Sequence, residues 1–180
     1  KLAEGSVRYT AGLEHAEKAI RLVPNNALYL SAAGFFSDKL AHYKKAISYH
    51  EQALAILRTL HPENHPEIAA VKNDLGMAWD ALGEYSKAIK FFEQALESLI
   101  QLHGENHPDV AAIQNNIGMA WDSLGDYPRA IRYYEQSLEA DLGHYEEDHP
   151  SIVKRHNQID HAWESIEAYH DAIQYFEAVL

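Results

Sequence analysis

Residues 75–97 read LGMAWDALGEYSKAIKFFEQALE, and residues 117–139 read IGMAWDSLGDYPRAIRYYEQSLE. The offset is 42 residues, and nearly every position is identical or conservatively changed. A further step of 42 reaches Trp163, Tyr169, Ala172 and Phe176, and a step back reaches Gly34, Tyr43, Ala46 and Ala53. Nearer the start, an offset of 34 aligns Tyr9, Ala16 and Ala19 with Tyr43, His50 and Ala53. Repetition at these periods constrains the fold more than any other feature. Each copy is one supersecondary unit that cannot bury its apolar face alone, so the copies must stack.

Within a copy the pattern is that of two helices. Val71, Leu75, Ala78, Trp79 and Leu82 recur every three or four residues and share one helix face. A turn follows at Gly83-Glu84 or Gly125-Asp126, where glycine can take the positive φ of a helix C-terminus. Tyr85 or Tyr127 then opens a second helix, with a buried stripe through Ala88, Phe92, Ala95 and Leu96. Gly76, Ala88 and Ala95 let the two helices approach closely, and Trp79, Tyr85 and Phe92 fill the space around them. All three copies of the tryptophan, at 79, 121 and 163, are expected in the core.

The linkers repeat as well: HPENHPEIAAV from His61, HGENHPDVAAI from His103 and EEDHPSIV from Glu146. Pro66, Pro108 and Pro150 suit the first turn of a helix, and Glu67 and Asp109 complement its N-terminal dipole. His61/His65 and His103/His107 stand four apart, a spacing that can serve metal binding on a helix. Here they lie in linkers and no His-Glu-x-x-His motif is present, so helix capping and linker packing are expected instead of a metal site.

The organisation is a partial leading unit over 1–24, full units over 25–66, 67–108 and 109–150, and a terminal partial unit over 151–180. Residues 1–8 read as the tail of a first helix, and the last unit as ending inside its second helix. With Leu-Gly, Trp, Gly-Glu/Asp-Tyr, Ala-Ile and Phe/Tyr-Glu-Gln-Ala/Ser-Leu in order, the chain resembles tetratricopeptide repeat proteins. The 42-residue period and the Gly-Glu-Asn-His-Pro linker are similar to the repeats of kinesin light chains and their bacterial relatives. The resemblance implies an all-α fold: a right-handed superhelical solenoid of antiparallel helix pairs, with a concave groove that binds peptides or protein segments.

The last copy departs from the pattern. Asp160 replaces Gly76 and Gly118, Glu167 replaces Gly83 and Gly125, and Val179 replaces Ala95. Terminal repeats are often irregular because they cap the stack. Ile173, Phe176 and Val179 are left without a following helix, so an exposed apolar end and association into a homo-oligomer are expected there.

The resemblance further implies a concave wall built mainly from first helices. Carried over by position, it comprises three rows: Ser31, Asn73, Asn115 and Asn157; Phe35, Met77, Met119 and His161; and Asp38, Asp80, Asp122 and Glu164. Asparagine can pair with the backbone of an extended peptide whatever its side chains. Methionine offers an adaptable apolar surface. The carboxylate row favours a partner segment carrying lysine or arginine, and Lys39 and Lys154 are the basic residues placed nearby. The same rows also have structural readings, with asparagines holding neighbouring helices and aspartates solvated at helix ends.

Composition narrows the function classes. Fifteen basic against 27 acidic residues give a formal charge of −12, with no basic stripe for nucleic acid and no attraction to anionic membranes. No apolar run approaches the ~20 residues that cross a bilayer, and no signal peptide is visible. Cysteine is absent, which fits a reducing, cytoplasmic setting. No phosphate loop, nucleophile elbow or Ser-His-Asp setting occurs, so no catalytic residue and no cofactor is expected. The chain reads as a scaffold binding a peptide or helical segment of a partner protein. The alternatives are a self-association or spacer module, or the regulatory arm of a larger enzyme.

Overall fold

The computed structural model describes residues 2–179, with side chains for residues 5–170 and 173. Eight helices account for nearly all of it: α1 (Leu2–Leu22), α2 (Ala27–Lys39), α3 (Tyr43–Leu60), α4 (Pro66–Ala81), α5 (Tyr85–His103), α6 (Pro108–Ser123), α7 (Tyr127–Leu142) and α8 (Pro150–Val179). No strand occurs among the described residues. The helices group into two compact units, Lys1–Leu102 and His103–Leu180.

The turn inside each hairpin depends on one residue. Gly83 and Gly125 both have φ +77°, and Ala41 at the equivalent position has φ +57°. The N–H three residues past the helix closes back on the carbonyl five positions earlier, Glu84 to Trp79 at 3.0 Å and Asp126 to Trp121 at 3.0 Å. His42 does the same to Ser37 at 2.8 Å. This satisfies carbonyls left orphaned at a helix C-terminus.

Where that residue is missing, no turn forms. Val7 and Glu167 hold the same register position, yet both lie inside uninterrupted helices. Two expectations are thereby corrected. Residues 2–8 continue into the same helix as Tyr9, and α8 runs 30 residues without a break into a second helix. A β-branched valine and a long glutamate are poorly suited to the left-handed conformation, so the helix simply propagates.

In the first unit, α1 packs on α2 through Leu13, Ala16 and Ala33. The larger core is made by Leu30, Ala46, Ile47, Leu54, Leu57, Ile68, Val71 and Leu75, with Trp79 and Leu82 against it. Close helix approach is enforced at the glycines. A Cβ on Gly76 would lie 2.4 Å from the Phe92 ring, and one on Gly34 would lie 2.3 Å from the His50 ring. In the second unit a Cβ on Gly118 would meet Tyr134 at 2.6 Å. One register position thus holds a ring pressed against a bare helix backbone in three hairpins.

The second unit also contains a polar core that periodicity does not announce. Ser137, fully buried, donates to the Ala111 carbonyl at 2.7 Å and accepts from Arg155 Nε at 2.7 Å. Arg155 pairs with buried Asp141 at 3.7 Å. Ser137 and Arg155 replace the Ala95 and Ile113 of the preceding register, so a serine–arginine pair stands where apolar packing would otherwise be.

The linker histidines cap helices, as their sequence setting suggests. His65, His107 and His149 accept through Nδ1 from the backbone N–H two residues on, at 3.3, 3.1 and 3.3 Å. Each ring stacks on an aromatic four residues earlier: His61, His103 and Tyr145. His144 Nε2 donates to the Asn106 carbonyl, tying together the linkers at either end of the α6–α7 hairpin.

Candidate functional site

In the second unit, a cleft of about 300 Å³ opens beside α6 and α8. Met119, Asp122 and Ser123 line it from α6; Lys154, Asn157, Gln158 and His161 line it from α8; Tyr134 of α7 reaches it from below. Four of the expected groove residues, Met119, Asp122, Asn157 and His161, therefore meet around one hollow. Helical spacing is the cause, because residues three and four apart share a face. Glu164, one turn further along α8, is exposed and does not line the cleft.

The cleft combines apolar and polar groups. Met119 is 40% exposed, a large apolar side chain left in contact with solvent. Asp122 has one carboxylate oxygen buried without a hydrogen-bond partner. Tyr134 is pushed upward in pKa by burial, then by the Asp122 charge, so its hydroxyl stays protonated and able to donate. Lys154, Asn157 and His161 are exposed.

Asn115 behaves differently from Asn157. It is buried, its Nδ2 donates to Met119 Sδ at 3.4 Å, and its Oδ1 has no hydrogen-bond partner. In the first unit, Asn73 Nδ2 donates to Met77 Sδ at 3.6 Å in the same way. Asn73 and Asn115 thus each hold the methionine one turn further along the helix. Phe35 and Met77 are 47% and 49% exposed, so the apolar row stands open in this unit too.

The acidic row is not uniform. Asp38 pairs through Oδ2 with Nε2 of the fully buried His50 at 3.1 Å, leaving its other oxygen buried and unpartnered. Asp80 is shifted upward by burial. Asp74, one residue beside the asparagine row, is raised mainly by burial, against the pull of His50, with Asp38 adding to the rise. Lys39 lies over the Phe35 ring at 5.2 Å.

The tryptophans divide. Trp79 and Trp121 are partly buried, as expected of core residues, and each carries a cation on its face: Lys87 at 4.3 Å and Arg129 at 4.4 Å. Trp163 is 51% exposed, which corrects its assignment to the core. The reason is the unbroken α8: without a turn at Glu167, no antiparallel helix folds back over the ring.

Sequence reasoning missed Tyr134 and Gln158. Tyr134 is only 2% exposed and shares the register of Phe92, so it read as filling. Gln158 had an available signal, because Asp74, Asn116 and Gln158 keep one register position polar in the last three copies, where the earlier one has Ala32.

The family model described as "Tetratricopeptide repeat" matches twice, over residues 27–101 and 81–142. The chain belongs to the tetratricopeptide repeat family. Its repeat hairpins make it an all-α helical-repeat protein with kinesin-light-chain-like neighbours in structure. BtubC (BKLC) from P. vanneervenii matches with a TM-score of 0.73 at 18% identity, covering 99% of this chain and 92% of that one. A kinesin-light-chain protein of Podosopora anserina with nearly identical TPR-like repeats gives 0.78 at 17% identity, covering 98% and 88%. MamA gives 0.68 at 20% identity, covering 94% and 85%. At such identities the likeness is one of fold. No curated protein matches in sequence. Tetratricopeptide repeats generally mediate protein–protein interaction, a scaffold role rather than a catalytic one. Among the described residues, no helix is long and apolar enough to cross a membrane.

Proposed function

We propose that this chain is a scaffold that holds a segment of a partner protein against its first-helix faces, with the α6–α8 cleft as a contact point. The observation that carries this reading is that each unit leaves large apolar side chains open on its first helices, Phe35 and Met77 in the first and Met119 in the second, flanked by amides and carboxylates. Large apolar side chains at 40–49% exposure, recurring on the same helix face, are what an adaptable binding surface requires. The partly orphaned Asp122 and the net charge of −12 favour a segment carrying lysine or arginine, while Lys154 supplies one opposing charge. Preformed helices supply the groove, so the ligand bears most of the ordering cost.

The test is selection of binders from a random peptide library on the intact chain, followed by affinity measurement. Binders enriched in lysine and arginine should lose about 10-fold or more in affinity when Met119→Ala and Asn157→Ala are combined, a loss of about 1.4 kcal/mol. Binders whose affinity is the same on the double variant would place recognition elsewhere.

A second reading has its own support. The α8 face that carries Ala162 in the core continues through Tyr169 and Ile173, which are 69% and 42% exposed. At about 1.5 Å per residue, α8 is about 45 Å long against about 24 Å for α7, so this stretch outruns its neighbour. Phe176 and Val179, expected to share the exposed end, lie outside the residues whose side chains are described. Self-association through this face predicts a mass in light scattering that rises with concentration; a constant monomer mass removes it.

A further inference from the structure

The linker from α3 to α4 gathers three metal-ligating side chains. His61 closes α3, His65 caps α4 and Glu67 lies in the first turn of α4. One donor atom from each lies within 4.8 Å of the other two. We propose that His61, His65 and Glu67 bind a divalent transition-metal ion of the zinc class, which clamps the end of α3 to the start of α4.

Two imidazoles and a carboxylate match the ligand preference of Zn²⁺ and its neighbours, and leave a coordination position for water. The dipole ends of the two helices offset each other here, since α3 presents its negative end and α4 its positive one. Glu63, the other carboxylate of the linker, is already engaged by Arg58 at 2.9 Å and Lys72 at 2.8 Å, which leaves Glu67 as the third ligand.

The protein contains its own comparison. Stacking and capping recur in all three linkers, but the donor set does not. The third linker stacks Tyr145 on His149 at 4.0 Å and caps the N–H of Ser151, with one metal ligand in place of three. Stack and cap therefore do not require a histidine at 61 or a carboxylate at 67. The second linker has His103, His107 and Asp109; Asp109 lies 3.6 Å from His107, but the three do not form such a trio at 4.8 Å. The three donors of the first linker exceed what the structural role demands.

Binding must rearrange this pair of rings. They stack with centroids 3.8 Å apart and planes 15° from parallel, and an ion has to lie near the plane of each ring it ligates. One ring turns out of the stack. His65 Nδ1 now accepts from the Glu67 N–H, so the neutral ring carries its proton on Nε2. Ligation through either nitrogen withdraws the lone pair that caps α4, and the Glu67 amide passes to solvent. Ion and cap compete, so loss of the cap weakens binding.

The experiment is calorimetric titration of the untagged full chain with Zn²⁺ at pH 7.5, paired with Co²⁺ absorption spectroscopy and an amide NMR spectrum. One ion should bind per chain with a displaced Glu67 amide resonance. His61→Tyr, which copies the third linker and keeps the stack, should weaken binding about 10-fold or more, as should Glu67→Gln. His103→Tyr should leave it unchanged. Absence of binding by the native chain, or binding that His61→Tyr and Glu67→Gln leave intact, overturns the proposal.

Discussion

Replacing Gly76 with alanine sets two known effects against each other at a fixed geometry. In an isolated helix, alanine is favoured over glycine by about 1 kcal/mol. Here the added Cβ would lie 2.4, 2.5 and 3.0 Å from three carbons of the Phe92 ring, where carbon contacts normally sit near 3.5–4.0 Å. Phe92 is 1% exposed, so the ring can retreat only by displacing α5 or its other neighbours. Overpacking of this kind costs about 1–3 kcal/mol. The expected net change is a destabilisation of about 1 kcal/mol, opposite in sign to the helix preference. Urea unfolding followed by circular dichroism measures it, with tryptophan fluorescence checking that the transitions coincide. The same substitution in a Phe92→Ala background should instead stabilise by up to about 1 kcal/mol, because the ring is gone. Equal stabilisation by Gly76→Ala in both backgrounds would refute the argument that the ring sets the helix spacing.

Ala41→Gly should stabilise the chain by about 1 kcal/mol, because Ala41 sits at φ +57°; Gly83→Ala should lose a similar amount, and thermal melts displaced by about 2–4 °C in opposite directions would check both. Glu63 is held down to about 2 by hydrogen bonds from Arg58 and then Lys72. Its folded value lies below the ordinary ~4.3, so its contribution is present above that pH and lost as pH falls towards 2. Glu63→Gln should therefore unfold more easily than the native chain at pH 7, with the gap closing between about pH 4 and pH 2; a gap independent of pH would contradict this. Arg155→Met should cost about 3–5 kcal/mol in urea by leaving buried Asp141 unpaired, and adding Asp141→Asn should recover part of the loss.

The hairpins were legible because their determinants are local and repeated. Gly83 and Gly125 announce the turn, and Pro66, Pro108 and Pro150 announce the next helix. Glu167 was visible as a departure, but its consequence was not: a missing turn residue lengthens a helix instead of merely loosening a cap. The same step turns residues 2–8 into part of α1 and exposes Trp163. The groove rows were legible as a periodicity, and Met119, Asp122, Asn157 and His161 do converge. What periodicity could not separate was an asparagine that is buried and holds a methionine, Asn115, from one that stands open, Asn157. The Ser137–Arg155–Asp141 core was hidden because its members come from two helices and each alone resembles an ordinary surface residue.

Met77 and Met119 are the chain's two methionines, and both belong to the exposed apolar row. Carbon-13 labelling of their methyl groups therefore gives two NMR signals that report on this surface alone. Titration with a peptide selected for binding should shift or broaden the methyl signal of the unit that holds it, Met119 for a ligand of the α6–α8 cleft, in step with saturation. A peptide that saturates the chain while both methyl signals stay fixed would show that the first-helix faces are not where a partner is held.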